Sequence, residues 1–155
     1  MRCWLMKSEP DEFSIDDLVK YKKTPWFGVR NYQARNFMMK DMQIGDPVFF
    51  YHSSCPEPGI AGIAEVCSGA YPDASQFDAK SPYFEPKATR DSPRWFNVDV
   101  RLVRKTALIP LSELREHSAL ANMRILARGN RLSITPVEQS EWSYITKRLM
   151  KINDE

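Results

Sequence analysis

Short apolar runs, each ended by proline, glycine or a polar cluster, limit the folds open to this chain. They read CWLMK (3–7), PVFFYHS (47–53) and IAGIAEV (60–66), whereas RWFNVDVRLVRK (94–105) alternates and predicts a long strand with one apolar face. Runs of this length, rich in β-branched and aromatic residues, are typical of strands. The second and third runs are joined by the short loop SCPEPG, which predicts a hairpin. In the third run, Gly62 marks a bulge or a close backbone approach.

Capping signals predict where the helices begin. Ser14 and Asp17 form a capping box that starts a two-turn helix. The last helix is expected to have Thr135 as its N-cap, Pro136 in its first turn and Glu138 closing the box. Shorter elements are a helix within 38–44, a helix over 109–117 and a brief strand at 131–134.

The order of these elements predicts one α+β domain. Strands outnumber helical crossovers, and no glycine-rich phosphate loop follows a strand, which argues against a doubly wound parallel sheet. A chain of 155 residues is long enough for one core and too short for two ordinary domains. We therefore expect a single domain over 1–155, built as a small, mostly antiparallel β-barrel with flanking helices.

The distribution of charge indicates a local basic surface. The net charge is +2, which is too small by itself to indicate a protein that binds duplex nucleic acid. From Lys20 to Lys40, however, there are six basic side chains and no acid. This patch is either a solvated face or part of a nucleic-acid site, and the sequence leaves both interpretations open.

Cysteine and histidine usage argues against disulfides and metal binding. Cys3, Cys55 and Cys67 have no CxxC spacing, which fits reduced thiols in the cytoplasm. His52 and His117 are far apart and have no cysteine pair nearby, so we expect no metal and no other cofactor. The N-terminal apolar run is too short for a signal sequence or a membrane span, which predicts a cytoplasmic protein without a membrane partner.

The segment TPWFGVRNYQARNF (24–37) fits neither helical nor strand periodicity. Aromatic rings bind a nucleobase by stacking, and planar polar groups read its edge. The segment offers both kinds of group, in Trp26, Arg30, Asn31, Tyr32, Gln33 and Arg35. It is therefore a candidate base-binding site. The alternative is structural: Trp26 and Phe37 belong to the core, and the polar groups cap the next helix.

The end of the first strand carries a second candidate site. Lys7, Ser8 and Glu9 follow one another there, and a lysine beside a carboxylate can shift the pKa of both groups enough for acid–base chemistry. A surface ion pair is the alternative. His52 and Cys55 could form a nucleophilic pair, but no orienting Asn or Asp is signalled, and ordinary structural roles fit better.

The stretch 68–93 has four prolines and no periodicity. It is longer than most loops in a compact domain, which favours a functional role or partial disorder.

Several long motifs occur in register across nearly the whole chain: WLMKSEPDEFSIDDL, TPWFGVRNYQARNFM, VFFYHSSC, PGIAGIAEV, YPD, PRWFNVDV and RGNRLSITPV. Together they resemble the EVE domain. The resemblance implies a PUA-like fold, related to the YTH readers of methylated adenosine in RNA. It also implies a non-catalytic reader of modified bases in DNA, with modified cytosine the leading candidate. By motif position, Trp26 would belong to an aromatic cage, and Lys7, Ser8 and Asn31 match further motif positions.

The resulting hypothesis is that a modified base, flipped out of its strand, enters a pocket at the open end of the barrel. The candidate base-binding residues are Lys7, Ser8, Glu9, Trp26, Val29, Asn31, Tyr51, His52 and Ser53. The candidate contacts to the nucleic-acid backbone are Arg30, Arg35, Arg128 and Arg131.

Two other functions stay open at this point. One, implied by a resemblance to other PUA-like proteins that resemble amidohydrolases, is an enzyme acting on acylated cytidine, with Lys7 activated and Glu9 as acid–base. The other is an RNA-binding or protein-interaction module, the latter using the proline-rich stretch 68–93. The sequence does not distinguish DNA from RNA as the partner.

Overall fold

The computed structural model describes residues 2–152. Within this range lie eight strands: β1 (Cys3–Ser8), β2 (Lys23–Pro25), β3 (Pro47–His52), β4 (Gly59–Val66), β5 (Tyr71–Pro72), β6 (Phe96–Asn97), β7 (Asp99–Pro110) and β8 (Ile134–Val137). The same range contains four α-helices: α1 (Ile15–Tyr21), α2 (Tyr32–Asn36), α3 (Leu111–Leu114) and α4 (Gln139–Tyr144). Wider helical turns extend α2 over Phe37–Asp41 and α4 over Ile145–Leu149, and short 3₁₀ turns lie at Ala74–Phe77, Ser118–Leu120 and Arg124–Leu126.

Six strands of the described range form one mixed sheet, in the order β2-β7-β4-β3-β1-β8, and β5 pairs with β6 separately. β1 and β3 run parallel, whereas the other neighbours run antiparallel. Register shifts between β3 and β4 and between β4 and β7 bend the sheet, because a bulge increases the local twist. The sheet curls into a half-barrel flanked by helices, which confirms the predicted α+β, PUA-like architecture.

Both faces of the sheet are buried along β1, β3 and β4. On β1, Trp4 and Met6 belong to the core that includes residues of α1 and α2, while Cys3 and Leu5 belong to the core that includes residues of α3. Each of the four is at most 3% exposed, and burying a large apolar side chain contributes about 1.5–3 kcal/mol. A strand buried on both faces is apolar along its whole length instead of alternating. This explains why the sequence runs of β1, β3 and β4 are continuous.

The predicted start of the last helix is wrong. Thr135 and Pro136 lie in β8, where they pair with Leu5 and Trp4 of β1. β8 is the outermost strand of the sheet, and an edge strand tolerates a proline that cannot donate a ladder hydrogen bond. The helix begins instead after Glu138, which is its N-cap and forms a capping box with Glu141. The local sequence fits a helix N-cap at either Thr135 or Glu138. The pairing of β8 with β1 selects Glu138.

Three other predicted elements have different bounds in the structure. The helix predicted over 109–117 is reduced to α3, because β7 stays paired with β4 along its C-terminal half. The helix predicted within 38–44 is the second part of a helical segment that begins at Tyr32, behind the N-cap Asn31. The strand predicted over 94–105 is split into β6 and β7.

The stretch 68–93 is ordered by a buried amide. Gln76 is 0% exposed. Its Nε2 donates to the carbonyls of Asp73 at 2.8 Å and Trp95 at 2.7 Å, and its Oε1 accepts from the amides of Arg94 at 2.9 Å and Trp95 at 2.8 Å. Both halves of the amide are therefore satisfied, as a buried polar group requires. The stretch is tied down at this point, which argues against the expected alternative of partial disorder there.

Gly62 lies at a bulge and at a close approach, as predicted. The register of β4 shifts on both sides of this region. A Cβ atom on Gly62 would lie 2.6 Å from Ile15 Cδ1 and 2.8 Å from the Arg104 carbonyl oxygen. The missing side chain is what lets α1 pack directly on the sheet.

Replacing Gly62 by Ala should lower the free energy of unfolding by about 2 kcal/mol, because overpacking a well-packed core costs about 1–3 kcal/mol. Urea denaturation measures the change. The matched control is Gly69→Ala, since a Cβ there meets nothing within 4 Å. Equal stabilities of the two variants would contradict this account of Gly62.

Candidate functional site

A cavity of about 590 Å³ opens beside the end of β1. Its volume is in the range of small-molecule sites, which usually measure about 300–1,000 Å³. We name it the aromatic cavity, lined by Lys7, Ser8, Glu9, Glu12, Phe13, Thr24, Pro25, Trp26, Phe27, Gly28, Val29, Arg30, Asn31, Ser53, Ser54, Tyr83, Arg131 and Ser133.

The sheet topology brings the ends of β1 and β3 to this cavity. Because these two strands run parallel, their carboxyl ends meet at one edge of the sheet, with Lys7 opposite Tyr51 and Ser8 opposite His52. The Ser53 amide donates to the Ser8 carbonyl at 2.9 Å. This bond holds the start of the β3–β4 loop against the end of β1.

Trp26 belongs both to the core and to the cavity wall. It is 8% exposed, and it lines the aromatic cavity. Its amide donates to the Val98 carbonyl at 2.8 Å, and its ring meets the Phe50 ring edge-on at 5.5 Å between centroids. The indole is therefore held in position by the protein itself.

Three more aromatic side chains line the same cavity: Phe13, Phe27 and Tyr83. Phe27 is 54% exposed and meets the Tyr83 ring edge-on at 6.0 Å. A large apolar side chain exposed beside a cavity is an informative feature, because such exposure often marks a binding surface. The cavity thus combines one core-anchored indole with an exposed aromatic rim.

The carboxylate of Asp73 joins the 68–93 stretch to the segment that carries Trp26. Its Oδ2 accepts from the Gly28 amide at 2.7 Å and from the Arg30 guanidinium at 3.1 Å. Its Oδ1 accepts from the amide and the hydroxyl of Ser75 at 2.8 and 2.6 Å. Burial by itself would raise the pKa of Asp73, but the hydrogen bonds from Ser75, Gly28 and Arg30 outweigh it and lower the pKa. The ionised carboxylate is therefore the stable form.

Tyr83 closes the cavity wall against Gly28. A Cβ atom on Gly28 would lie 2.9 Å from the Tyr83 ring, and the φ angle of Gly28 is +82°. Both facts require glycine at this position. Arg30 completes the contact, because its guanidinium donates to the Tyr83 carbonyl at 2.7 and 3.2 Å and lies over the Tyr83 and Trp95 rings.

The aromatic cavity offers both hydrogen-bond donors and acceptors. Burial lowers the pKa of Lys7, whose ammonium forms no ion pair within residues 2–152. Burial raises the pKa of Tyr83, and the nearby charges of Glu12 and Glu9 raise it further. The Tyr83 hydroxyl therefore stays protonated at neutral pH, and the two carboxylates supply acceptors.

A second cavity, of about 800 Å³, adjoins the first. We name it the basic cavity, lined by Lys7, Tyr51, Ser53, Ser54, Pro58, Leu111, Arg115, Ala121, Ile125, Leu126, Ala127, Arg128, Gly129 and Asn130. Lys7, Ser53 and Ser54 line both cavities.

The structure brings most of the candidate residues together. The candidate base-binding residues that line the aromatic cavity are Lys7, Ser8, Glu9, Trp26, Val29, Asn31 and Ser53. Tyr51 lines the basic cavity instead. Of the candidate backbone contacts, Arg30 and Arg131 line the aromatic cavity and Arg128 lines the basic cavity.

Ser8 and Asn31 also serve the fold. The Ser8 hydroxyl donates to the Phe13 carbonyl at 2.6 Å. Asn31 is the N-cap of α2, since its Oδ1 accepts from the Ala34 amide at 3.0 Å. Its Nδ2 group is not used in this cap. The structural alternative for Asn31 is thus correct, and Asn31 also lines the aromatic cavity.

Two candidate site residues, His52 and Arg35, contact other parts of the protein instead of the cavities. His52 lines neither cavity among the described residues; its Nε2 accepts from the Ile15 amide at 3.0 Å, at the start of α1. Arg35 lies over the Tyr32 ring and donates to the Arg94 carbonyl at 2.9 Å. The parallel pairing of β1 and β3 turns the His52 side chain toward α1, which the sequence alone does not reveal.

Within residues 2–152, no three His, Cys, Asp or Glu side chains converge as a metal site would require. In the same range, each helix is too short or too polar to cross a membrane.

A protein-family model described as the EVE domain matches residues 2–148. This chain belongs to the EVE domain family. The match confirms the resemblance inferred from the motifs and covers nearly all of the sequence.

Curated relatives and solved structures agree with the family. Human thymocyte nuclear protein 1 is 45% identical, over 92% of this chain and 71% of its own length. The Gallus gallus protein of that name is 44% identical, over 92% of this chain and 66% of its own length. The chain therefore spans about two-thirds of the length of these relatives.

A crystal structure of human THYN1 protein in complex with DNA containing 5-methylcytosine is similar with a TM-score of 0.90 and 41% identity, over 99% of this chain and 100% of that one. A YTH domain from Zygosaccharomyces rouxii has a TM-score of 0.53 at 17% identity, over 99% of this chain and 87% of that one. The second likeness concerns the fold alone.

Sequence reasoning missed several residues that shape the site, among them Glu12, Phe13, Asp73 and Tyr83. Glu12 and Phe13 carried a usable signal, because they lie between the end of β1 and the N-cap Ser14, close to Lys7 in sequence. Asp73 carried a motif signal, since it ends the YPD motif, whereas Tyr83 carried none because it comes from a stretch without periodicity.

Replacing Asp73 by Ala should lower the free energy of unfolding by about 3–5 kcal/mol, since it leaves the Arg30 charge and two backbone donors without their acceptor. Urea denaturation measures this change, and native-state proteolysis should cut faster within 78–93. The control is Asp78→Ala, because that exposed carboxylate accepts from the Lys80 amide alone among the bonds of residues 2–152. If both variants behave alike, Asp73 is not the anchor of this wall.

His52 should make the fold sensitive to acid. Burial lowers its pKa in the folded state, and Asp16 opposes this only in part. The unfolded chain therefore takes up a proton first, so stability falls as the pH drops below about 6.5 and levels off below the folded-state pKa. His52→Gln keeps an acceptor for the Ile15 amide without this titration. Unfolding free energies between pH 8 and pH 5 should show a smaller decline in the variant than in the unaltered chain.

Proposed function

We propose that this chain binds a modified cytosine of DNA, flipped out of its strand into the aromatic cavity, and that it catalyses no reaction on this base. The observation that carries the proposal is the open, aromatic-lined cavity around Trp26. It is supported by the likeness over 99% of the chain to human THYN1 protein, a structure in complex with DNA containing 5-methylcytosine.

Stacking on Trp26 supplies the main contact to the base. Aromatic stacking contributes about 1–3 kcal/mol per base, and the indole needs no rearrangement because Phe50 and the Val98 carbonyl already hold it. Extruding a base from a duplex costs a few kcal/mol. Single-stranded or locally opened DNA is therefore bound more tightly than an intact duplex.

The polar groups of the cavity match the edge of cytosine. The exocyclic amino group of cytosine is a donor that carboxylates accept well, and Glu9 and Glu12 are the carboxylates of this cavity. The ring nitrogen and carbonyl oxygen of cytosine are acceptors, and the Asn31 Nδ2 and Lys7 ammonium groups are donors. An added group at carbon 5 meets apolar surface from Val29 and the aromatic rings.

The backbone contacts differ from those expected from the sequence. Arg30 and Arg35 already donate to Asp73, Tyr83 and Arg94. Arg131 and Arg128 form no ion pair within residues 2–152. We therefore assign phosphate contacts to Arg131 and Arg128. Each phosphate neutralised steepens the slope of the logarithm of the binding constant against the logarithm of the salt concentration by about 0.7–0.9.

An amidohydrolase acting on acylated cytidine is the second candidate, and the lowered pKa of Lys7 is the observation that favours it. In the structure no ion pair joins Lys7 to Glu9, so the acid–base pair of that hypothesis is not preassembled. Prolonged incubation with N4-acetylcytidine is the test. Product formed by the unaltered chain and lost in Lys7→Ala would replace our proposal with this one.

The protein-interaction hypothesis has less support. It expected a disordered 68–93 stretch and a pocket filled by its own side chains, whereas the stretch is anchored by Gln76 and Asp73 and the aromatic cavity is open. The alternative of RNA is tested by including it among the probes. A cytoplasmic location, and a single domain over 1–155, remain predictions.

The test is the affinity for oligonucleotides that carry 5-methylcytosine, 5-hydroxymethylcytosine or plain cytosine, as single-stranded DNA, duplex DNA and RNA at one salt concentration. The unaltered chain should prefer a modified cytosine, and equal affinity for every base would reject the proposal. Trp26→Leu, which keeps apolar bulk in the core, should weaken binding of the modified base by about 5- to 100-fold, because it removes the stacking surface.

The matched control is Phe84→Ala. Phe84 is also an exposed aromatic of this region, at 41%, but it lines neither cavity of the described residues. Its loss should leave affinity unchanged. Circular dichroism shows whether each variant is folded before its affinity is compared.

A further inference from the structure

We infer that the basic cavity binds the nucleotide that adjoins the modified one on the same strand, with its phosphate on the cations of the rim and its base on the apolar floor. The inference rests on the proposed function of the aromatic cavity. It adds a second, separate site, so that the chain contacts two consecutive nucleotides instead of one base.

The first argument is continuity. Lys7, Ser53 and Ser54 line both cavities, so a strand whose base occupies the aromatic cavity passes directly into the basic one. The two cavities measure about 590 and 800 Å³. The second is the larger, and it leaves room for a sugar, a base and the linking phosphate.

The second argument is charge. The cations of the basic cavity are Lys7, Arg115 and Arg128, and no Asp or Glu of the described residues lines it. Within residues 2–152, none of the three forms an ion pair. Uncompensated cations around a concave site attract an anion. When the flipped base occupies the aromatic cavity, the phosphodiester next to it is the anion that lies closest to these cations.

The third argument is the composition of the floor. The apolar lining comes from Pro58, Leu111, Ala121, Ile125 and Leu126. Inorganic phosphate alone would gain no binding energy from this apolar surface, whereas the face of a nucleobase packs well on it. Tyr51 adds a donor to the same site, because burial raises its pKa to about 12 and keeps the hydroxyl protonated.

The rim that carries Arg128 is built in advance. Asn130 Nδ2 donates to the Arg124 carbonyl at 2.7 Å, and Asn130 Oδ1 accepts from the Leu132 amide at 3.0 Å. Gly129 has a φ angle of +77°, which lets the chain turn tightly beside Arg128. The turn therefore holds this arginine at the cavity without a ligand.

The test uses two mononucleotides, 5-methyl-dCMP with its phosphate at the 5′ or at the 3′ position. Each is compared with the dinucleotide in which that phosphate links one additional nucleoside. Protein NMR titration gives each affinity. One of the dinucleotides should bind about tenfold more tightly than the mononucleotide that carries the same phosphate, since the added base contributes its own packing. Shifts of the Ala121 and Gly129 amides should accompany this gain.

Filling the basic cavity should abolish the gain. Ala121→Trp places an indole in it, so that the variant should bind the dinucleotide and the mononucleotide with equal affinity. Arg128→Gln should lower dinucleotide affinity in the same direction. The control is Ala119→Trp. Ala119 is exposed in the 3₁₀ turn Ser118–Leu120, which Ala121 follows directly, but it does not line the cavity.

The two proposals fail separately. The ratio of affinities for methylated and unmethylated mononucleotide reports on the aromatic cavity, whatever the neighbour does. If neither dinucleotide exceeds its mononucleotide, or if Ala121→Trp keeps the full gain, the second site is overturned even when the methylated base is preferred.

Discussion

One buried carboxylate holds the candidate site together. Asp73 is 1% exposed and accepts hydrogen bonds from Gly28, Arg30 and Ser75. Without this acceptor, the Arg30 guanidinium would lose its only ion pair among the described residues, and the Gly28 and Ser75 amides would lose their acceptor. The opposite wall needs no such acceptor, because the ladder of the sheet holds the ends of β1 and β3. The aromatic cavity is therefore held by the sheet ladder on one side and by the Asp73 and Arg30 hydrogen bonds on the other.

The arrangement of groups around Trp26 supports the recognition of a base that we propose. The Trp26 ring is fixed by core contacts, and carboxylate, amide and ammonium groups surround it without forming an acid–base pair across the cavity. Preorganised groups of this kind bind a ligand with little loss of conformational freedom. In our proposal the basic cavity extends recognition from one base to the neighbouring nucleotide, since its cations form no ion pair within the described residues and part of its lining is apolar.

At the start of the last helix, two local signals competed. Thr135 and Pro136 look like the start of a helix, yet Glu138 and Glu141 form an equally good capping box, and pairing of β8 with β1 selects the second. His52 looks like a site residue because it ends a strand beside Tyr51. Its imidazole instead accepts from the Ile15 amide, and nothing near His52 in the sequence announces that partner.

The sequence by itself determined the features that depend on neighbouring residues: the apolar strands, the capping box at Ser14, the need for glycine at position 62 and the family motifs around Trp26. Only the tertiary structure decided which groups share a cavity. Gly28 and Asp73 are 45 residues apart, and their hydrogen bond leaves no periodic trace in either segment. Lys7 and Ser53 converge because parallel strands end at the same edge of a sheet. Contacts of this kind are set by how elements pack, which short-range patterns do not encode.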